Sequence, residues 1–155
     1  MPKDINARSI TFHFQAPFSL AARKKIRELL IRLFGKEKKE FESLTYIFCT
    51  DDYLLEINKR FLKHDFYTDI ITFDLGTAAN SGIVGEIYIS IDRVRENARQ
   101  HQTTVKEEVM RVILHGALHL CGYKDKARAD TELMRKAEDQ YLGLFKKMFH
   151  VKHQS

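Results

Sequence analysis

The run Asp69-Ile70-Ile71-Thr72-Phe73-Asp74-Leu75 is rich in β-branched and aromatic residues, and Ile83-Val84-Gly85-Glu86-Ile87-Tyr88-Ile89 is a second such run. Between them stands Gly76-Thr77-Ala78-Ala79-Asn80-Ser81-Gly82, small and polar, with glycine at both ends. Two strand-forming runs around such a connection predict a loose hairpin, and therefore an antiparallel pair. Upstream the pattern differs. Ser9-Ile10-Thr11-Phe12-His13-Phe14 alternates polar and apolar residues, which reads as a half-buried strand. After Pro17, the residues Leu20, Ile26, Leu29, Leu30 and Leu33 recur at helical spacing up to about Gly35. The charged run 36–40 reads as a solvated loop or helix end, and 44–49 as a second strand. Asp51-Asp52 can cap a helix through Phe61, since carboxylates accept from its first free N–H groups.

Strand–helix–strand crossovers favour parallel neighbours, so the sheet is mixed. From Ser90 onward the chain reads as three helices, over 91–102, 105–121 and 130–149. Thr104 and Glu107 form a capping-box pattern at the start of the second. Leu133, Ala137, Tyr141, Leu144 and Met148 give the third a buried stripe, a core feature and not a cofactor site. The expectation is an α+β single domain over 1–155, a mixed four-stranded sheet with helices packed on it.

The 155 residues suffice for one buried core, and 44% hydrophobic with 30% charged residues suits a globular chain. Lys and Arg number 26 against 21 Asp and Glu, leaving +5. That excess permits a polyanionic partner without naming one. Met1-Pro2-Lys3-Asp4 precedes no apolar run, so no secretory signal is expected. No apolar stretch approaches the roughly 20 residues of a membrane span, and a cytoplasmic location without membrane contact is expected. Cys49 and Cys121 are too few for a disulfide framework.

Chemistry concentrates in His115-Gly116-Ala117-Leu118-His119-Leu120-Cys121-Gly122-Tyr123-Lys124-Asp125. Residues four apart share a helix face, so His115 and His119 can present two imidazoles to one ion. Gly122 can end the helix and turn the chain back, which makes Asp125 the next ligand-type side chain. Two His and one carboxylate with an open position is a ligand set for catalytic Zn2+, one ion per chain. Cys121, two residues after His119, is the competing ligand. The spacing is also that of metzincin peptidases, but these carry Glu directly after the first His, and here that position is Gly116.

Arg111 lies one turn before His115 on the same face. It reads either as a guanidinium for a scissile phosphate or as a structural ion-pair partner, with Glu107 in reach one turn earlier. His64, Asp65 and Asp69 read as turn and cap residues.

The block from His115 to Tyr123 resembles the YbeY family, whose hallmark His-Gly-x-Leu-His-Leu-x-Gly-Tyr is matched at every fixed position. Asp65-Phe66-Tyr67-Thr68-Asp69-Ile70-Ile71-Thr72-Phe73 looks like its Asp-x-Pro-Thr-Asp-Val-Leu-Ser-Phe segment, and Gly85-Glu86-Ile87-Tyr88-Ile89-Ser90 like its Gly-Asp-Ile-x-Ile-Ser strand. The resemblance runs from about Asp51 to Asp139. It implies a single zinc-binding domain acting as a single-strand-type, metal-dependent endoribonuclease in maturation of the small-subunit rRNA 3′ end and in ribosome quality control, with ribosomal RNA and the ribosome as partners. Three positions depart from the family. Asp125 stands where a third His ligand is usual, Leu62 where an Arg is typical, and Tyr67 where Pro is. Two other readings compete with the nuclease: a metallopeptidase, opposed by Gly116, and a zinc-braced ribosome assembly factor with little catalysis. The cleavage position, the oligomeric state and the lysines and arginines that touch RNA leave no trace in one sequence.

Overall fold

A computed structural model describes residues 8–154, with side chains through 148; the N-terminal stretch Met1–Asp4 and the side chain of Phe149 lie outside the described residues. The elements run β1 (Ser9–Phe14), α1 (Arg23–Lys36), β2 (Phe41–Cys49), α2 (Asp51–Leu62), β3 (Ile70–Asp74), β4 (Ile83–Ser90), α3 (Ile91–Gln100), α4 (Val105–Leu120) and α5 (Arg128–Gln154). The four strands form one sheet in the order β1-β2-β4-β3. β1 and β2, joined through α1, pair in parallel as the crossover reading expects, and β2 also pairs in parallel with β4. β2 and β3, which flank α2, do not pair and run in opposite directions, because β4 stands between them and holds β3 in the hairpin. The hairpin pair β3–β4 is antiparallel, with Ile70 opposite Ile89 and Asp74 opposite Gly85. The mixed α+β sheet expected from the alternation of elements is therefore present.

Strand side chains alternate between faces, which gives the sheet two different coverings. Ile10, Phe12, Leu44, Tyr46, Phe48, Ile87 and Ile89 face the main core with α1, α4 and α5. Cys49, Leu54 and Ile71 form a smaller cluster beneath α2, on the other face. α4 is buried along Val109, Met110, Val112, Ile113, Leu114, Ala117 and Leu118, so the helix carrying the two His residues is wedged between sheet and α5. Among the described residues no helix is long and apolar enough to cross a membrane.

Several boundaries differ from the sequence expectations. β2 starts at Phe41, whose buried ring brings the strand three residues earlier than expected, to the end of the charged run. α1 starts at Arg23, because Ala22 takes a left-handed backbone conformation (φ 60°), and Leu20 is buried ahead of the helix. The cap of α2 is Thr50, whose Oγ1 accepts from Tyr53 N at 3.1 Å. Asp51 is occupied elsewhere, its carboxylate bonded to Ser90 Oγ and Arg93 Nε. α3 ends at Gln100 and α4 at Leu120, each short of the expected end, while α5 starts at Arg128. Its stripe begins at Met134; Leu133 is 60% exposed. Glu37 is drawn in from the expected loop and accepts from Tyr123 Oη at 3.1 Å and Tyr141 Oη at 2.7 Å.

Candidate active site

α4 is capped by Thr104, whose Oγ1 accepts from Glu107 N at 3.0 Å; this is one half of the expected capping box, while the Glu107 carboxylate turns to Lys146. Its other end is closed by a pair of hydrogen bonds around Gly122. Tyr123 N donates to Leu118 O (3.1 Å) and Gly122 N to His119 O (3.0 Å). This is the Schellman pattern, which requires a left-handed residue after the cap, and Gly122 has φ +108°. The turn returns the chain toward α4. Thr131 Oγ1 then donates to Asp125 O at 3.1 Å, tying the returning segment to the start of α5.

The consequence is a contact between His115 Nε2 and Asp125 Oδ2 at 3.2 Å. The other ring nitrogen, Nδ1, donates to Glu138 Oε2 at 2.7 Å. Glu138 is buried in α5 at 5% exposure and also accepts from Arg111 Nη1 at 2.9 Å. Arg111 Nη2 reaches Asp139 Oδ1 at 2.8 Å. The guanidinium thus forks across two carboxylates of α5, and the ion pair expected with Glu107 is not the one formed: Glu107 faces Lys146 at 3.5 Å. Burial works against a charged imidazolium on His115, but the hydrogen bond and charge of Glu138, with Asp125 and Asp69, outweigh it and raise its pKa.

His119 lies one turn further and is exposed; its Nδ1 is 3.1 Å from Tyr123 O, an acceptor that assigns the proton to Nδ1. The structure therefore brings His115 and Asp125 together and leaves His119 on the same face beyond them. Among the described residues no three His, Cys, Asp or Glu side chains already converge on one point. The donor chemistry nevertheless fits a divalent ion. Both imidazoles spend Nδ1 on an oxygen acceptor, so Nε2 is the nitrogen each would offer to an ion, with the proton between His115 Nε2 and Asp125 displaced on binding. Two ligands of a tetrahedral zinc at its usual bond lengths stand about 3.3 Å apart, and His115 Nε2 and Asp125 Oδ2 already hold nearly that spacing. Cys121 is a poorer donor: it is buried, and burial, with Glu37 behind it, pushes its thiol up to about 12.

His115, Asp125, Arg111 and Glu138 border a cleft of about 340 Å³ that also includes Thr68, Asp69, Glu108 and Arg135, whereas His119 and Cys121 are not among the residues that line it. Burial raises the carboxyl pKa of Asp69, with the charge of His115 in partial opposition. Glu108 is raised for the same first reason, opposed by His101 at 3.7 Å. Asp69 thus contributes to the cleft wall as well as to the start of β3. His64 and Asp65 stay outside it, His64 stacked on Phe66 and Asp65 paired with Lys59. Gly116, where a metzincin needs its Glu, faces the sheet. A Cβ there would meet Ile87 Cγ2 at 3.0 Å and Ile70 Cδ1 at 3.2 Å. Leu62 is exposed on the last turn of α2.

Glu138 is the residue that sequence reasoning missed. The signal was a carboxylate next to Ala137 and three residues before Tyr141, inside the buried stripe of the last helix. A charge at such a position calls for a partner.

Residues 11–146 match the family described as Endoribonuclease YbeY. The chain is 49% identical over 135 residues to the endoribonuclease YbeY of Cytophaga hutchinsonii, covering 87% of this chain and 94% of that protein. It is 45% identical to that of Flavobacterium psychrophilum over 92% of this chain and 98% of the relative. The fold is similar to the solution structure of TM1509 from Thermotoga maritima, with TM-score 0.59 and 27% identity over 92% of this chain and 93% of that one. The chain belongs to the endoribonuclease YbeY family.

Proposed function

We propose that this chain is a metal-dependent endoribonuclease of ribosomal RNA maturation, acting in the cytoplasm on the small-subunit 3′ end, with one zinc ion on His115, His119 and Asp125. The observation that carries the metal site is the pair of oriented imidazoles: Glu138 and the Tyr123 carbonyl each take an Nδ1, and Asp125 meets the free edge of His115 at 3.2 Å. A bound zinc lowers the pKa of its water and polarises a phosphoryl oxygen. The protein's share is to hold the ligands, through Glu138 and the Gly122 turn, and to wall the cleft with Asp69. Arg111 is committed to Glu138 and Asp139, so its part is to steady Glu138 and, through it, His115. A peptidase of metzincin type has no place for its general base, because position 116 is packed against Ile87 and Ile70.

Elemental analysis of untagged protein should find one equivalent of zinc, lost in His115→Ala and His119→Ala, and the protein should cut structured rRNA but not casein. Metal far below one equivalent in wild type and unchanged in His115→Ala overturns the metal site. Cutting of casein with rRNA left intact overturns the nuclease.

A further inference from the structure

Exposed large apolar side chains are not scattered evenly over this molecule. Of the nine among the described residues, five (Tyr53, Phe61, Leu62, Phe66 and Tyr67) belong to α2 and the loop behind it. Phe66 is 55% and Tyr67 47% exposed. Such a cluster on a surface signals an interaction site. The loop is also held in shape. Lys63 ends α2 in a left-handed conformation, His64 N donates to Asn58 O, and the buried Asn58 side chain donates to Phe66 O at 2.8 Å. His64 stacks on Phe66 with centroids 5.0 Å apart, and Tyr67 is fixed between Asp52 Oδ1, at 3.3 Å from its hydroxyl, and the guanidinium of Arg93, 5.1 Å above its ring.

We propose that the α2–β3 loop is a stacking platform for unpaired RNA bases, with Phe66 and Tyr67 as the stacking rings, delivering the strand to the cleft beside it. The inference rests on the endoribonuclease reading. Three observations select RNA as the occupant. The rings are preorganised, so little ordering is left to oppose binding. Arg93 lies over the Tyr67 ring but is paired with Asp51, and Lys59 is paired with Asp65, whereas Arg60 and Lys63, in the last turn and cap of α2 directly before the loop, make no ion pair among the described residues and are the cations offered to a phosphate backbone. And the loop continues directly into Thr68 and Asp69, which line the cleft with His115. Aromatic platforms beside basic residues are the common way in which proteins hold single strands without reading sequence.

The chain has no tryptophan, so one can serve as a reporter. Fluorescence of Phe66→Trp should be quenched by a single-stranded RNA of about ten nucleotides and not by its duplex. Phe66→Ala and Tyr67→Ala should each weaken binding of that RNA by roughly 5- to 100-fold, with Phe66→Trp retaining it. If wild type binds and cuts RNA while both alanine variants bind it equally well, or the tryptophan is blind to saturating RNA, the platform falls and the nuclease stands; the patch then serves a protein partner. If wild type neither binds nor cuts RNA, both fall together.

Discussion

Glu138 accepts from Arg111 Nη1 and from His115 Nδ1 through its two oxygens, while Arg111 Nη2 and His115 Nε2 turn to Asp139 and Asp125. Glu138→Gln keeps the shape but turns one acceptor oxygen into an NH2 group facing a donor. His115 then loses its fixed orientation, and zinc affinity should fall by about 10- to 100-fold, read by competition with a chromophoric chelator. Unchanged affinity would show that Glu138 only anchors Arg111. Asp125 makes the sharper case. Its side chain is 42% exposed, so Asp125→Ala should leave the fold intact while weakening zinc strongly. Asp125→His should keep the ion, since an imidazole can fill the same vertex. If Asp125→Ala binds zinc as tightly as wild type, the ligand set is wrong. The approach of Asp125 to His115 was legible because a four-residue spacing and a glycine turn are local facts. Glu138 was not, because its partner lies 23 residues away on another helix and only packing brings them together.

α4 and its turn show how an element sets a site. Gly122 has open space where a Cβ would be, so Gly122→Ala meets no neighbour and pays only for φ +108°. That backbone is unfavourable for an L-residue by roughly 1–2 kcal/mol, seen as a lower urea midpoint at unchanged slope. A neutral result would mean that the turn relaxes to another form, and Asp125 should then lose its contact with His115. Gly116→Glu tests the opposite situation. It forces a carboxylate against Ile87 and Ile70, combining overpacking with an unpaired buried charge, and should cost more than about 3 kcal/mol. The hairpin, the Thr104 cap and the Gly122 stop were all written in short-range patterns. The misplaced details share another cause. From Ala137, the stripe of α5 can continue back to position 133 or 134, and both are helical spacings; packing of α5 on its neighbouring helices buried Met134 and left Leu133 exposed. Likewise Asp51 lost the capping role to Thr50 because Ser90 and Arg93, distant in sequence, compete for its carboxylate.

At the scale of the whole molecule, the pairing of β1 with β2 and of β3 with β4 followed from the connections, but the pairing of β2 with β4, which leaves β3 at the edge, did not, since a short-range pattern does not say which strand of a hairpin meets the rest of the sheet. That placement puts the loop before β3 at the rim of the cleft, where it meets solvent, and it sets up a test of how the molecule divides its work in binding. Phosphate contacts release counterions, so the logarithm of affinity for single strands falls with the logarithm of salt by about 0.7 per contact. Stacking releases none. Wild type should therefore lose affinity for single-stranded RNA steeply between roughly 50 and 200 mM salt. Lys63→Gln should flatten that slope by about one contact, whereas Phe66→Ala should lower affinity at every salt concentration and leave the slope unchanged. The two lines on one plot separate charge from stacking. A flat wild-type line would remove nucleic acid as the substrate, and a slope altered equally by both variants would mean that Phe66 acts by positioning the neighbouring cations, with no base on its ring.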